Sequence, residues 1–240
     1  MNKALVLLVL LCACAGAGAV EVKEYDTRLD VTADGTAQAS VALTVAGARA
    51  GRLRLPVGFA AMEEFTPSDV PSGVVLTPRA SKEQSYVDIE FPNDSPADTK
   101  IGFTFRTPGV LFAPKPEEGQ KSTLPAGSRV LRHSFVNTQE TPIASYRLRV
   151  RLPDEAIVHM IREQLPKPRR KEFTPRVELD RFDGSQGALL QFSGLRQGDR
   201  TSMELEVVEQ RRSMAWLLVL LPIALGYLVA FRDTVKPQSA

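Results

Sequence analysis

The sequence predicts an all-β fold for the central part of this 240-residue chain. Three observations support this prediction. Apolar and polar residues alternate with a period of two, which places every second side chain of a strand on the same face. Many of the alternating residues are β-branched or aromatic, as is typical of strands. Pro and Gly residues stand at almost every junction between these runs, where turns are expected.

The first two strands are predicted on either side of a turn at Asp34-Gly35. An Asp-Gly pair between two alternating runs is a strong hairpin signal, because Gly readily adopts the positive φ that tight hairpin turns require. A second turn of this kind is predicted at residues 180–184. The side chains expected to share the inner face of the first hairpin are Tyr25, Thr27, Leu29 and Val31, then Val41, Leu43 and Val45.

Short strand candidates continue along the rest of the chain. This number of short strands, separated by turn residues, is typical of a β-sandwich. The further candidates are Gly51–Leu55, Val74–Leu76, Tyr86–Phe91, Ile101–Arg106, Val130–Asn137, Tyr146–Leu152, Arg176–Phe182, Ala188–Phe192 and Ser202–Glu209.

One amphipathic helix is predicted after Pro153. Asp154 is a suitable N-cap residue, and Pro166 would end the helix. The apolar residues between them have helical spacing and would share one face. These residues are Ile157, Ile161 and Leu165.

Three short sequence patterns recur in the same order about a hundred residues apart. RLRLP at 52–56 returns as RVRLP at 149–153, FTP at 65–67 returns at 173–175, and DIEF at 88–91 corresponds to LLQF at 189–192. Recurrence in register predicts tandem modules. We therefore expect two immunoglobulin-like β-sandwich modules, at residues 20–106 and 129–212, joined by a Pro-rich linker at 107–128. One larger sandwich is the alternative.

The N-terminus has the three parts of an export signal. Lys3 precedes an apolar run, and Ala17-Gly18-Ala19 matches the small-residue cleavage site. The apolar run is too short to span a bilayer, so residues 1–19 are predicted to be a cleaved signal peptide. The pattern around Cys14 also resembles a bacterial lipoprotein signal, which makes Cys14 a candidate for lipidation.

The C-terminal segment from Met214 to Phe231 contains no ionisable residue. Its eighteen residues would span about 27 Å as a helix, close to the thickness of the hydrocarbon core. Basic residues flank both ends, and Trp216 lies near one end, where interfacial aromatic residues occur. We predict a single transmembrane helix at 213–231 and a cytoplasmic tail at 232–240. The export signal then places the ectodomain outside the cytoplasm.

Composition excludes several classes of protein. Both cysteines lie in the predicted signal, so the mature ectodomain has neither disulfides nor thiolate metal sites. All but Lys3, Arg232 and Lys236 of the 30 basic residues fall in the ectodomain, which leaves 27. All but Asp233 of the 28 acidic residues do so as well, which also leaves 27. A neutral ectodomain is not expected to bind nucleic acid.

No residue pattern predicts catalysis, a metal site or a cofactor. The two histidines are His133 and His159, and in a strand His133 would face away from Ser134, which rules out a direct Ser–His pair. The polar stretch at 93–98 lacks the spacing of a calcium loop and is expected to form a turn. No glycine-rich phosphate loop or G-x-S-x-G elbow occurs.

One basic stretch stands out in the ectodomain sequence. It follows Pro166 and is a candidate contact for an anionic partner. The sequence thus predicts a non-catalytic interaction or assembly module of a cell-envelope complex, bound to the membrane and to another envelope protein. The alternatives are a hydrolase with a site between the modules, or an accessory subunit of a transporter or sensor. The basic residues are Lys167, Arg169, Arg170 and Lys171.

Overall fold

The computed structural model describes residues 20–47, 51–93, 95–114, 127–163, 176–182 and 184–209, together with 222–223 and 226–227. Residues up to Glu209 form one compact unit, and residues 210–240 form a second. In the second unit the four described residues are helical. Among the described residues, no helix has the length and apolar character needed to cross a membrane. Most of the segment from Met214 to Phe231 lies outside the described residues.

The described part of the first unit is built from strands and turns, which confirms the all-β prediction. In chain order the strands are β1 (Glu21–Val31), β2 (Ala37–Ala46), β3 (Arg52–Pro56), β4 (Glu63–Asp69), β5 (Val75–Arg79), β6 (Tyr86–Glu90), β7 (Asp98–Thr107), β8 (Leu111–Phe112), β9 (Arg129–Val136), β10 (Ile143–Arg151), β11 (Ala156–Glu163), β12 (Arg176–Phe182), β13 (Ser185–Leu195) and β14 (Arg200–Glu209).

The strands are arranged in three sheets. The largest has the order β12-β13-β10-β1-β2-β7-β4, the second has the order β11-β14-β9-β8, and the third has the order β3-β6-β5. Strands β1 and β10 run parallel, and their neighbours in the large sheet pair with them antiparallel. The parallel pair joins the first part of the chain to the second in one sheet.

This topology corrects the predicted division into two modules. The boundary at 107–128 does not separate two sheets, because strands from both sides of it pair in the largest sheet. Strand β8, which lies within the predicted linker, also pairs with β9 beyond it. The repeated patterns arise in different settings: RLRLP forms β3 of the three-stranded sheet, whereas RVR of the second copy ends β10 of the largest. One large sandwich, the alternative, fits this arrangement.

Residues of all three sheets form one buried core, and within it the largest sheet and the four-stranded sheet meet through aromatic rings. Tyr25 of β1 stacks on Tyr146 of β10, with ring centroids 5.2 Å apart. Both rings contact Phe135 of β9, at 5.4 and 4.4 Å between centroids. The inner-face residues predicted for the first hairpin are all buried, because alternation in β1 and β2 places them toward this interface. Aromatic residues thus join the two sheets face to face.

Both predicted hairpin turns are present. In the first, Gly35 has a φ of +86°, and a Cβ at this position would lie 2.5 Å from the carbonyl oxygen of Leu111, so that only Gly fits. The hydroxyl of Thr32 and the backbone N–H of Thr36 donate hydrogen bonds to Asp34, and together they lower the pKa of Asp34 to about 2. In the second turn, Gly184 has a φ of +93° between β12 and β13.

The predicted helix after Pro153 is wrong, because these residues form strand β11, paired with β14. The ladder is irregular between Val158 and Met160, and this bulge places Ile157 and Ile161, which were predicted to share a face, on opposite faces of the strand. Leu165 lies outside the described residues. An extra residue at the bulge leaves Val158 and Ile161 on the same face, opposite Val207 and Leu205, although they are three positions apart. Both pack against the core.

Candidate functional site

The outer face of the largest sheet contains a concave depression of about 540 Å³. Its floor lies over the neighbouring strands β2 and β7, where the outward positions carry the small residues Ala42 and Gly102. Longer charged side chains of β1 and β10 line one side, and β4 lines the other. The depression exists because small residues occupy the centre of the face and larger ones occupy its margins.

Strand β4 forms a raised wall on one side of the depression. The pairing of β4 with β7 is irregular at two places, the second lying between Pro67 and Asp69. These bulges bring Ser68 and Asp69 over Gly102, where an added Cβ would lie 2.8 Å from the Ser68 hydroxyl and 3.1 Å from Cβ of Asp69. Glycine at 102 is therefore required for the close approach of the wall to the floor.

On the opposite side, charged residues of β1 and β10 face each other in three successive rows. In the first row Arg147 donates a hydrogen bond of 3.0 Å to the carboxylate of Asp26. In the third row Arg151 instead donates to the hydroxyl of Ser185, at 2.9 Å. The register of the parallel pair places Asp26 opposite Arg147, Arg28 opposite Arg149, and Asp30 opposite Arg151.

The middle row brings two like charges together. Arg28 donates to Asp30 of its own strand, with the Nε to carboxylate-oxygen distance at 3.1 Å. Arg149 is exposed, and within the described residues it makes no hydrogen bond or ion pair. On the far side of the floor, Lys100 likewise has no ion pair with any described residue. Two cations on the rim of the depression therefore remain available to a ligand.

Acidic groups also line the depression, so it is not uniformly positive. Glu24 accepts a long hydrogen bond of 3.4 Å from the hydroxyl of Thr44. In the register of β1, β2 and β7, Glu24 and Lys100 belong to the same row, with Thr44 between them. The lining residues Glu24, Asp26 and Asp69 balance Arg28, Lys100 and Arg149.

His133 lies in the core and not in a cleft. Its side chain is 1% exposed, and its Nε2 is 2.8 Å from the hydroxyl of Tyr146. The ring of Phe59 lies 5.1 Å from it, and Gly58 packs so closely that a Cβ there would be 2.5 Å from Cε1 of His133. Burial lowers the pKa of His133 to about 3. The imidazole is therefore neutral at ordinary pH.

The groups around His133 are aromatic. Burial raises the pKa of Tyr25 and of Tyr146, so both phenols also stay protonated. The hydroxyl of Tyr25 donates to the carbonyl of Pro56 at 3.0 Å. No carboxylate among the described residues hydrogen-bonds to His133, and Nδ1 has no hydrogen-bond partner within this part of the chain. As the sequence predicts, Ser134 lies on the other face of β9.

Some of the other site residues that the sequence suggests are described by the structure, and the rest lie outside the described residues. His159 is exposed at the bulge of β11. In the polar stretch at 93–98, the backbone N–H of Ser95 bonds to the carbonyl of Pro92 in a turn, and Asp98 forms an ion pair of 2.8 Å with Lys23. The described residues contain no cluster of three or more potential metal ligands. Cys14 and the basic residues Lys167, Arg169, Arg170 and Lys171 lie outside the described residues.

Comparison with known proteins gives limited information. No family model and no curated protein sequence matches this chain. Among solved structures it is similar to an M1 zinc metallopeptidase from Deinococcus radiodurans, at 14% identity over 78% of this chain and 42% of that one, with a TM-score of 0.41. It is also similar to LTA4 hydrolase from yeast, at 11% identity over 78% of this chain and 29% of that one, with a TM-score of 0.43. This chain spans less than half of either protein, and TM-scores of this size carry no argument about its activity.

Proposed function

We propose that this chain is a non-catalytic binding module that holds another protein of the cell envelope in the depression on its largest sheet. The observation that supports the proposal is the depression itself, whose rim presents Lys100 and Arg149 without intramolecular partners in the described structure. Its volume lies within the range of about 300–1,000 Å³ that is typical of small-molecule pockets, so it has room for a few side chains of a partner.

The proposal includes the placement that the sequence predicts. Residues 1–19 would direct export, and the segment from Met214 to Phe231 would hold the module at the membrane with a short cytoplasmic tail. The depression would then face a partner outside the cytoplasm. The immunoglobulin-like character of the sandwich and the lipidation of Cys14 stay predictions.

The chemistry of the histidines favours binding over hydrolysis. A hydrolase of the kind considered as an alternative needs an accessible histidine beside a carboxylate. His133 is enclosed by aromatic rings and neutral, and His159 has no hydrogen-bonded carboxylate among the described residues. No observation among the described residues favours the transporter or sensor alternative.

The test is photo-crosslinking in cells with the full-length, membrane-anchored protein. A photoreactive amino acid replaces Ala42 on the floor of the depression, and in a second strain it replaces Val75, which is 52% exposed on the three-stranded sheet. We expect the probe at 42 to capture one recurrent envelope protein that the probe at 75 does not capture. Equal capture by both probes, or no capture at 42, would contradict the proposal.

A further inference from the structure

We propose that Arg28 and Arg149 form a clamp that binds a carboxylate side chain from an acidic segment of the partner polypeptide. This inference rests on the proposed function, since it names the chemistry by which the depression recognises its partner. It starts from the one row of the β1–β10 ladder in which like charges meet. Arg28 and Arg149 are paired in the parallel register, and both line the depression.

The like-charge pair is unfavourable for the free protein. Neighbouring strands lie about 4.8 Å apart, so the side chains of two arginines at paired positions leave the same face of the sheet next to each other. Like charges directly opposite each other destabilise a sheet. The rows on either side show the favourable alternative, in which Asp26 and Asp30 stand opposite arginines. A pair that breaks this pattern at the rim of a depression indicates a role in binding, because departures from local rules concentrate at functional sites.

An oxyanion placed between the two side chains would remove the repulsion. Guanidinium groups bind carboxylates through two parallel hydrogen bonds, and such charge-assisted bonds are stronger than neutral ones. Asp30 already occupies one edge of Arg28. Arg149 has no described partner, so it offers its whole donor set. Ser40, the β2 neighbour of Arg28 in the same row, adds a hydroxyl on the floor side.

Charge complementarity favours an acidic polypeptide segment over a polyanion. Glu24 and Asp69 also line the depression, and they would repel a ligand with negative charge along its whole length. A polypeptide can place one carboxylate at the arginines and polar or basic groups elsewhere. The outward residues of β2 that line the depression, Ser40, Ala42 and Thr44, are small, which leaves room for a chain lying along this strand in an extended conformation.

Binding of a labelled acidic peptide to the purified full-length protein tests the clamp directly. The probe is a fluorescently labelled Ser-Ser-Glu-Ser-Ser-amide peptide, which carries one carboxylate among neutral residues, and the readout is anisotropy with the protein in a non-ionic detergent. Arg149→Glu is expected to weaken binding by about 10-fold or more, the size expected for losing a charge-assisted hydrogen bond. Arg196→Glu, the same charge change in an exposed turn away from the depression, should change binding by less than about 3-fold.

Two outcomes of this titration would overturn the inference. One is equal binding by the wild type and by the Arg149→Glu variant, which includes the absence of binding to either. The other is displacement of the peptide by inorganic phosphate at the same concentration as the peptide, which would assign the arginines to phosphate instead of a polypeptide carboxylate.

Thermal unfolding separates a binding role from a structural one. Because Arg149→Glu replaces a like-charge pair with an ion pair to Arg28, we expect Tm to rise by about 2–4 °C while binding is lost. A variant that loses both stability and binding would make Arg149 a structural residue. The conservative variant Arg149→Lys keeps the positive charge but lacks the paired N–H donors of the guanidinium, so we expect intermediate binding.

The cell experiment distinguishes failure of the clamp from failure of the proposed function. If the probe at Ala42 captures a partner equally in the wild type and in the Arg149→Glu background, the proposed function stands and the clamp is wrong. If peptide binding depends on Arg149 but no protein is captured in cells, the clamp stands as an anion site and the proposed function is wrong.

Discussion

Acid should destabilise this protein through His133 before its carboxylates titrate. The unfolded chain binds a proton at His133 below the ordinary pKa of 6.5, whereas burial lowers the pKa in the folded state to about 3. Between these values the unfolded state therefore holds more protons, and stability falls as pH decreases. Well above pH 6.5 the imidazole is neutral in both the folded and the unfolded state, so this loss of stability is absent. Each pH unit below this value removes about 1.4 kcal/mol, so about 2–3 kcal/mol is lost at pH 4.5.

The pH window from 4.5 to 6.5 isolates this effect from the carboxylates whose pKa is shifted. Hydrogen bonds from Thr32 and Thr36 lower the pKa of Asp34, and a hydrogen bond from Arg54 lowers that of Asp88. Groups of this kind stabilise the fold above their unfolded pKa of 3.8, and that stabilisation is lost mainly below about pH 4.5. A loss of stability that begins near pH 6.5 must therefore have another source.

Urea unfolding of the full-length protein in non-ionic detergent, followed by far-UV circular dichroism, measures the loss. The control is His133→Gln, whose amide can still hydrogen-bond to Tyr146 but does not titrate. We expect the wild type to lose about 2–3 kcal/mol between pH 6.5 and 4.5 and the variant to lose much less. An equal pH dependence in both proteins would refute the reasoning, because it would place the titrating group elsewhere.

Two further predictions concern the backbone and are measured by the same unfolding assay. Gly58→Ala should cost about 2–4 kcal/mol, since a Cβ there meets His133 and the φ is +77°, whereas Gly198→Ala, with a similar φ but open space around it, should cost only about 1–2 kcal/mol. If Gly58→Ala and Gly198→Ala reduced the free energy of unfolding equally, the side chain of His133 would have to move to make room for the added Cβ. Deleting His159 from the bulge of β11 should restore regular alternation and cost less than about 1 kcal/mol, while deleting Arg147 from the doubly paired β10 should prevent folding. Similar losses for the two deletions would contradict the bulge assignment.

The local features of the fold could be predicted from the sequence where a single strand or turn determines them. Alternation identified the buried face of β1, because each strand has one face against the core. The Asp34-Gly35 turn was identifiable because its backbone conformation needs Gly. The same reasoning failed at β11, where Ile157 and Ile161 have helical spacing but a bulge places them on opposite faces of a strand. Periodicity assumes a regular element, so it cannot identify which residues share a face across a bulge.

Sheet membership could not be predicted, because it depends on contacts between residues far apart in the chain. The sequence separates β1 from β10 by the predicted linker, yet these strands form the parallel pair at the centre of the largest sheet. Similar strand endings suggested a repeat, but strands with alternating Arg and aliphatic residues suit any half-exposed position in a sheet. Local similarity therefore does not decide whether two segments belong to separate sandwiches or to one.

The candidate site depends on this long-range pairing. Arg149 alone is an ordinary outward residue of an alternating strand, and Arg28 is one as well. They acquire a common role only because the parallel ladder sets them side by side, with the small residues of β2 and β7 next to them. If β10 were shifted by two residues along β1, Arg149 would face an aspartate, and a different arginine of β10 would face Arg28. The register of one strand pair thus determines where this face of the sheet carries unpaired positive charge.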